Sequence, residues 1–549
     1  MNKKRSVIIG GVIIFSFWLL IFLTSDSLWN GFHFIDDHDI VTINHNLNQQ
    51  NKSFFSVLIE SVKGDISGAR FRPLWIIHKV ILTQLFGLQS FLWLHYNFFV
   101  AVLTTFLLFI FGLLIRFSFL SSLLLAFLTI IGPQSAIYYR LGTPETFSSL
   151  LLSLSLVCIA LSVRVKTWIN FYEILFFLAV TGMLLTKENY FLVLPALAFI
   201  KIWQDSSINK LNWKQSIKKN AFFLAFLSIL SLSNLAYIKY ILNSNPAVKY
   251  ADNFGYDYAR LWATLLSLND NGYWQILLIN LVLTTIIIVV VAVNGDRFLV
   301  LELVPGLCIF MLIVIPQVLV YAKSGIYERY LIPGVLGYSF LIAYTYNFIQ
   351  SHNHILIRFF KINFAKFIPL IISGILIFQS SGVIWGNFNL YSLQRKALND
   401  LLTIVESNTQ ADDKILVVIN PRSFWEFGLS LKTFLNYKID RPQIYLSSYG
   451  SLQTDFYTPV YKEAEAAYAK LDPKFYEVSG YQDLKKLKNK EEIKLIIIFP
   501  PLKQDFLKTS SDWFSEKKFQ EYSLDLQTKT DFPFYIIKNT IVTIYNHKE

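Results

Sequence analysis

The run Phe34-Ile35-Asp36-Asp37-His38-Asp39 sets three carboxylates and an imidazole side by side just beyond an apolar N-terminal stretch. Such a cluster can take a proton as a general base, or its oxygens can hold a divalent cation, Mg or Mn, with Asp36, Asp37 and Asp39 as ligands. It is equally the composition of a solvated acidic loop. Cations recur further along, in Arg70-Phe71-Arg72-Pro73-Leu74, in Tyr139-Arg140 with Glu145, in Lys187-Glu188 and in Glu328-Arg329-Tyr330. A guanidinium grips phosphate oxygens bidentately, and an ammonium does so as a point charge. The same residues can instead meet lipid head groups or close structural ion pairs, and each cluster taken singly reads either way.

The elements that must position these groups are membrane helices. Of 549 residues 54% are hydrophobic and only 16% charged, and the mean hydropathy is +0.45, whereas soluble chains carry about 25% charged residues. The apolar residues fall in blocks of roughly 17–25, the length that crosses a hydrocarbon core as a helix. A closed barrel would show short alternating segments instead. The net charge of +12 does not indicate a nucleic-acid partner, because Lys and Arg sit mostly in short loops and in the tail. Cys158 and Cys308 both lie in apolar segments, which offers neither a disulfide framework nor a thiolate metal site.

The first block, Ser6 to Thr24, follows Lys3, Lys4 and Arg5 and lacks a small-x-small cleavage site, so it reads as an uncleaved span. Further blocks cover 91–115, 118–138, 147–163, 170–186, 189–204, 220–242, 275–294, 298–321, 331–349 and 367–385, about eleven transmembrane helices in all. With a cytoplasmic N-terminus every short inside loop is basic, as the positive-inside rule asks. The outer loops, 25–90, 139–146, 243–274 and 322–330, together with the short outer turn at Lys187-Glu188, then carry all of the clusters above. Ionisable residues gather at the ends of spans rather than at mid-span, which disfavours a channel or transporter. The stretch Trp75 to Leu85, with His78 and Lys79 on its polar side, reads as a helix lying on the membrane surface. The loop Asn243 to Trp274, with Tyr250, Tyr256, Tyr258 and Arg260, suits sugar stacking or simply the membrane interface.

The chain divides into a membrane domain, 1–385, and a soluble C-terminal domain, 386–549, where charge density rises and apolar runs shorten. In the tail, Asn387 to Asn408 carries a helical repeat, Lys414 to Asn420, Gln443 to Ser447 and Lys494 to Phe499 read as strands, and Phe534 to Tyr545 reads as a strand or hairpin. Pro459 to Leu471 and Gln482 to Asn489 read as helices. The expected fold class is therefore an α-helical polytopic membrane protein with a C-terminal soluble α/β domain. No Gly-rich phosphate loop is present in that domain.

The chain resembles the membrane-embedded glycosyltransferases of the GT-C fold, in particular the protein O-mannosyltransferase and aminoarabinose-transferase type. The resemblance is carried by Asp36-Asp37 after one span, by Arg72-Pro73-Leu74 and the helix after it, and by Leu94-His95-Tyr96-Asn97. Leu185-Thr186-Lys187-Glu188-Asn189 with Pro195, and Arg329-Tyr330 with Pro333, complete it over roughly residues 1–350. It lies in the order and membrane side of these motifs as much as in their letters. It implies transfer of a sugar from a polyprenyl-phosphate or dolichyl-phosphate donor to a lipid, glycan or protein acceptor at the outer, periplasmic face. It implies that Asp36 or Asp37 is the general base, the other orienting it or helping to bind a metal ion. By the same resemblance Arg329, Lys187 and Arg72 hold the donor phosphate, with Glu188, Glu145, Tyr330 and His38 in support. Some members carry Asp-Glu where this chain has Asp36-Asp37. Two other readings stay open at this stage, a lipid-linked sugar transporter or flippase and a polymerase or ligase using a pyrophosphate-linked donor. The expected setting is a bacterial inner membrane, with the N-terminus cytoplasmic and the C-terminal domain extracytoplasmic.

Overall fold

The computed structural model describes residues 3–34, 36–67, 70–165, 169–240, 258–267, 297–324, 328–352, 367–419, 421–448, 481–483, 492–499, 519–529 and 537–547. Among them, helices Lys4–Thr24, Ser90–Leu114, Glu145–Arg164, Glu188–Asn209, Ala221–Tyr240 and Leu301–Lys323 are long and apolar enough to cross a membrane. A bent pair, Phe119–Ile130 with Pro133–Tyr139 at 69°, makes up to seven. The chain is a multi-pass membrane protein, with fewer such spans among the described residues than the eleven expected. The expected span 275–294 lies outside them, as does most of the loop 243–274. The expected span 170–186 forms Ile169–Thr186 and 331–349 forms Ile332–Ser351. The segment 367–385 is the first half of one helix, Phe367–Asn408, so the boundary drawn at 385/386 falls inside a continuous element.

Two breaks in the spans bring the polar clusters together. Gly132, at φ +141°, ends the Phe119–Ile130 helix, and Pro133 starts the next turn. The carbonyls released there are capped by the Gln134 side chain, which donates to Thr129 O at 3.2 Å and Ile131 O at 2.9 Å. Broken backbone at membrane depth persists only where such partners exist. The bent half then delivers Arg140 and Gly142 to the end of the bundle. The second break follows Thr186, where a 3-10 turn, Glu188–Val193, precedes the helix Leu194–Asn209 with Pro195 in its first turn.

The C-terminal region is an α/β unit. Strands β1 (Lys414–Ile419), β2 (Ile444–Ser448), β3 (Tyr481–Asp483) and β4 (Ile493–Ile498) are parallel, and β5 (Phe519–Lys529) and β6 (Ile537–His547) form an antiparallel pair. The order is β3-β2-β1-β4-β6-β5. All four expected strands are present, while Pro459 to Leu471 and residues 484–489 lie outside the described residues. Two elements had not been anticipated, the helix Pro421–Lys438 that crosses from β1 to β2 and β5. In addition Gln482 and Asp483 belong to β3 rather than to a helix, because their backbone pairs with Ser447 and Ser448.

The sheet does not stand apart from the membrane domain. One hydrophobic core joins Phe32, Phe34 and Ile40 of the first loop to Leu398 and Leu401 of the long helix, Leu431 and Phe434 of the crossover helix, and Val417 and Leu495 of the sheet. Burial of side chains of this size contributes on the order of 2 kcal/mol each. The acidic run therefore leaves a fixed apolar anchor.

Candidate active site

Asp36 follows directly on that anchor and adopts φ +69°, a left-handed conformation that costs a non-glycine residue about 1–3 kcal/mol. The surroundings over-determine it. A Cβ added to Gly142 would stand 2.2 Å from the Asp36 carbonyl oxygen, so only glycine lets the two backbones approach this closely. Its neighbour Asp37 is fully buried and accepts the backbone N–H of His33 at 2.8 Å and of Leu141 at 3.0 Å. Asp37 thus staples the first loop to the 140–142 loop, and that staple turns the Asp36 carboxylate toward the cations.

Arg329 Nη1 donates to Asp36 Oδ2 at 2.9 Å, across 293 residues of sequence, and Arg140 Nη1 stands 3.6 Å from the same oxygen. All three side chains are about one-fifth exposed. Arg140 is held in turn by the Tyr391 hydroxyl, to which its Nε donates at 3.0 Å, while Asn97 donates to the Arg140 carbonyl at 3.0 Å. Burial pushes the Asp36 carboxyl up, but Arg329 and Arg140, helped by His38 and Lys79, outweigh it and hold the group at about 2. Asp37 goes the other way: burial carries it up to about 6, against the opposing pull of Arg395 and its two backbone donors. One carboxylate is paired with side-chain cations, and the other is tied to the backbone.

The next ring out centres on Tyr330. Lys187 Nζ lies 4.6 Å from its ring centroid and the Arg329 guanidinium 5.3 Å. Burial alone would raise the phenol, yet Arg329, Lys187 and Arg70 bring it down to about 7. Lys187 closes a buried ion pair with Glu145 at 3.0 Å, and Arg70 approaches Glu188 at 3.5 Å. Tyr321 links the break after Thr186 to the Glu328–Tyr330 turn, accepting from Asn189 at 2.9 Å and donating to the Tyr330 carbonyl at 2.8 Å.

Of the residues singled out in the sequence, Asp36, Arg329, Tyr330, Lys187, Glu145 and Glu188 gather in one chain of contacts, and His38 faces Asp36 electrostatically. Arg72 closes on Asp65, with Nε 3.1 Å from Oδ1, and reaches the group through its charge on Glu188. Asp39 pairs with Lys79 at 2.8 Å. The Pro73–Phe86 helix buries Trp75, Ile76 and Lys79, so Lys79 meets a carboxylate of the first loop instead of lipid head groups. Asp36 meets Arg329, Asp37 the backbone N–H groups of His33 and Leu141, and Asp39 Lys79. No group of three or more His, Cys, Asp or Glu converges among the described residues.

Sequence reasoning passed over Arg395 and Tyr391. Both were nonetheless signalled, because Ile384, Phe388, Tyr391, Arg395, Leu398 and Leu402 recur at alternating spacings of four and three along a buried helical stripe. A guanidinium in such a stripe needs a reason. Here burial lowers Arg395 to about 10 while Asp37 opposes that fall, and Nη1 lies 3.4 Å from the Ser27 carbonyl.

No family model matches the sequence, and no curated protein does. Among solved structures, the chain is similar over 99% of its length to the crystal structure of ArnT from Cupriavidus metallidurans in the apo state, of which 98% is covered, at 10% identity and a TM-score of 0.47. It is also similar over 96% of its length to the Archaeoglobus fulgidus oligosaccharyltransferase tethered with an acceptor peptide containing the NVT sequon, of which 74% is covered, at 11% identity and a TM-score of 0.41.

Proposed function

We propose that this protein is an integral membrane glycosyltransferase that moves a sugar from a polyprenyl-phosphate donor to a hydroxyl or other nucleophile of an acceptor. Asp36 is the general base, Asp37 positions it, and Arg329, Arg140 and Lys187 take the donor phosphate. The observation that carries this reading is the 2.9 Å contact between Arg329 and Asp36, which sets a base and a phosphate-binding guanidinium at one end of the bundle.

The reaction follows from charge. The acceptor oxygen attacks the anomeric carbon, its proton passes to Asp36, and the bond from that carbon to the phosphate oxygen breaks with its electron pair left on the phosphate. The leaving polyprenyl phosphate gains a negative charge, and cations fixed beside it in a water-poor site are worth several kcal/mol to that step. An incoming donor phosphate competes with Asp36 for Arg329 and Arg140. A carboxyl held at about 2 by those two side chains is a weak base, so drawing them onto the phosphate raises its pKa and arms it. Donor binding and base activation are then one event. The site faces the extracytoplasmic side of a bacterial inner membrane, and the C-terminal domain, sharing a core with the first loop, lies on that side too.

The test is Asp36→Asn in the full-length protein reconstituted in nanodiscs. Sugar transfer should fall below detection while polyprenyl phosphate still binds, since the cations stay in place. Full activity in the variant removes the assignment, and sugar lipid crossing vesicles without covalent product would mark a transporter instead.

A further inference from the structure

The crossover helix Pro421–Lys438 belongs to the sheet, yet one of its sides is turned to the first loop of the membrane domain. Phe427, Leu431, Phe434 and Lys438 recur at spacings of four, three and four, which is one side of a helix. Phe427 stacks on Phe34 with ring centroids 5.2 Å apart, Phe434 meets Phe32 at 6.0 Å, and the Lys438 ammonium lies 5.4 Å from the Phe32 centroid. Leu431 is buried in the same core as both loop phenylalanines. One residue before Lys438, Tyr437 stacks on His45 at 4.1 Å. The loop residues gripped stand on both sides of Asp36, because His45 follows the short helix His38–Asn44.

The place that Phe34 occupies gives this contact a meaning beyond packing. In an open α/β sheet a ligand sits beyond the carboxyl ends of the strands, where the strand order reverses. Here β1 stands between β2 and β4, so the order reverses between β1 and β4. Phe499 follows β4 directly, and its N–H donates to the Val418 carbonyl of β1 at 2.9 Å. Its ring meets Phe34 edge-on at 6.4 Å, while Phe427 comes from the helix that leaves β1. Phe34 itself is fully buried.

We infer that the C-terminal domain is a clamp on the catalytic loop: Phe34 fills the position at which such a sheet would take a ligand, and Phe427, Phe434 and Phe499 are positioning residues that act on Asp36 through Phe32 and Phe34. The inference rests on the proposed role of Asp36 as the base. Asp36 is left-handed, a conformation that persists only where its surroundings hold it. It lies between two fixed points, Phe34 in the clamp and Asp37 on the His33 and Leu141 amides. The cations facing it come from other loops, so the clamp sets the base without setting the phosphate site.

The experiment compares wild type, Phe427→Ala, Phe427→Tyr, Phe434→Ala and Leu416→Ala, all full-length in nanodiscs. Three readouts are taken: amide hydrogen exchange, binding of bare decaprenyl phosphate, and turnover of decaprenyl-phosphoryl mannose, glucose and arabinose with a membrane extract as acceptor. Leu416 is buried on the face of β1 opposite Val417, so its loss loosens the sheet without touching the loop. Both Phe→Ala variants should speed exchange at residues 36–45 at least tenfold and lower kcat about tenfold to 10²-fold, the effect of displacing a catalytic group by about 1 Å. Donor KM and decaprenyl phosphate affinity should stay within twofold. Phe427→Tyr keeps the ring and should restore kcat, and Leu416→Ala should leave both kcat and loop exchange near wild type. Unchanged loop exchange in both Phe→Ala variants overturns the inference, as does an equal loss of kcat in Leu416→Ala or a rise in KM with kcat unchanged. A fully active Asp36→Asn, or a wild type that neither binds decaprenyl phosphate nor turns over any donor, overturns the transferase reading instead, and hydrogen exchange still decides the clamp.

Discussion

Two charged clusters sit at opposite ends of the same bundle, and their chemistry differs. At one end Asp205 accepts Lys219 at 2.7 Å, Asn220 at 2.7 Å and Asn209 at 2.5 Å, and Lys201 donates to Glu173 at 2.9 Å and Ser162 at 2.7 Å. The Asp205 carboxylate is saturated by donors from its own and the following helices. At the other end Asp36 is held in a left-handed backbone, its partners come from remote loops, and its neighbours Glu145 and Glu188 keep unfilled oxygens. The Asp205 carboxylate completes its hydrogen bonds while Gln204 and Ser216 near it keep unfilled atoms, so the two ends differ in the strained backbone and remote partners of the Asp36 carboxylate rather than in their unfilled atoms.

The sharpest way to break this contrast is Arg329→Met. Losing a fixed cation at the leaving phosphate should lower the transfer rate about 10²- to 10³-fold, measured as turnover of a polyprenyl-phosphoryl sugar, with folding unaffected because Arg329 is partly exposed. An effect under tenfold would place the phosphate elsewhere. Gly142→Ala should follow in size. Its Cβ would stand 2.2 Å from the Asp36 carbonyl oxygen, so the first loop must shift, and a displacement of about 1 Å at a catalytic group costs up to ~10²-fold. Activity within threefold of wild type would show that the close approach does not set the base.

Asp37→Asn sharpens the comparison between neighbours. A carboxyl raised from 3.8 to about 6 in the fold binds its proton more tightly when folded, so its contribution to stability is full below 3.8 and is lost as pH rises toward 6. Asp36, lowered from 3.8 to about 2, contributes above 3.8 and loses that contribution as pH falls toward 2. The two windows meet without overlapping. Thermal unfolding of the wild type in detergent should therefore show melting temperature falling from pH 4 to pH 6, and the Asn variant should be flat over that range. A slope that persists in the variant would assign the titration to another group.

Much of this end of the molecule was legible in the sequence, for a physical reason. Charged residues next to long apolar runs are costly in lipid unless paired or wet, so Asp36, Lys187 and Arg329 stood out where they sit. Which cation meets which carboxylate was not legible. Arg72 and Arg329 look alike in sequence, and only the fold shows that Asp65 engages the first while the second reaches Asp36. Arg395 was hidden in an apolar stripe. The crossover helix Pro421–Lys438 was obscured by Gly428 and mixed charge along it, whereas β5 was passed over although Tyr522, Leu524 and Leu526 alternate with Ser523, Asp525 and Gln527 as a strand does. The break after Thr186 fell where two spans had been expected to meet, whereas the break at Gly132 bends a segment, 118–138, that hydropathy alone had counted as one whole span.

The smallest expected effect belongs to the saturated cluster. Lys219 is about half exposed in its contact with the buried Asp205, and solvent screening at that half-exposed ammonium keeps the contribution of the pair small. Lys219→Met removes one donor but leaves Asn209 and Asn220 on the same carboxylate, so Asp205 is not stranded. Transfer activity should stay within twofold, and the melting temperature should move by only a degree or two, less than for any change at the Asp36 end. A large loss of turnover with the fold intact would mean that the opposite end of the bundle also takes part in the reaction. The division between a fastening cluster and a working one would then fail at the point where it is easiest to test.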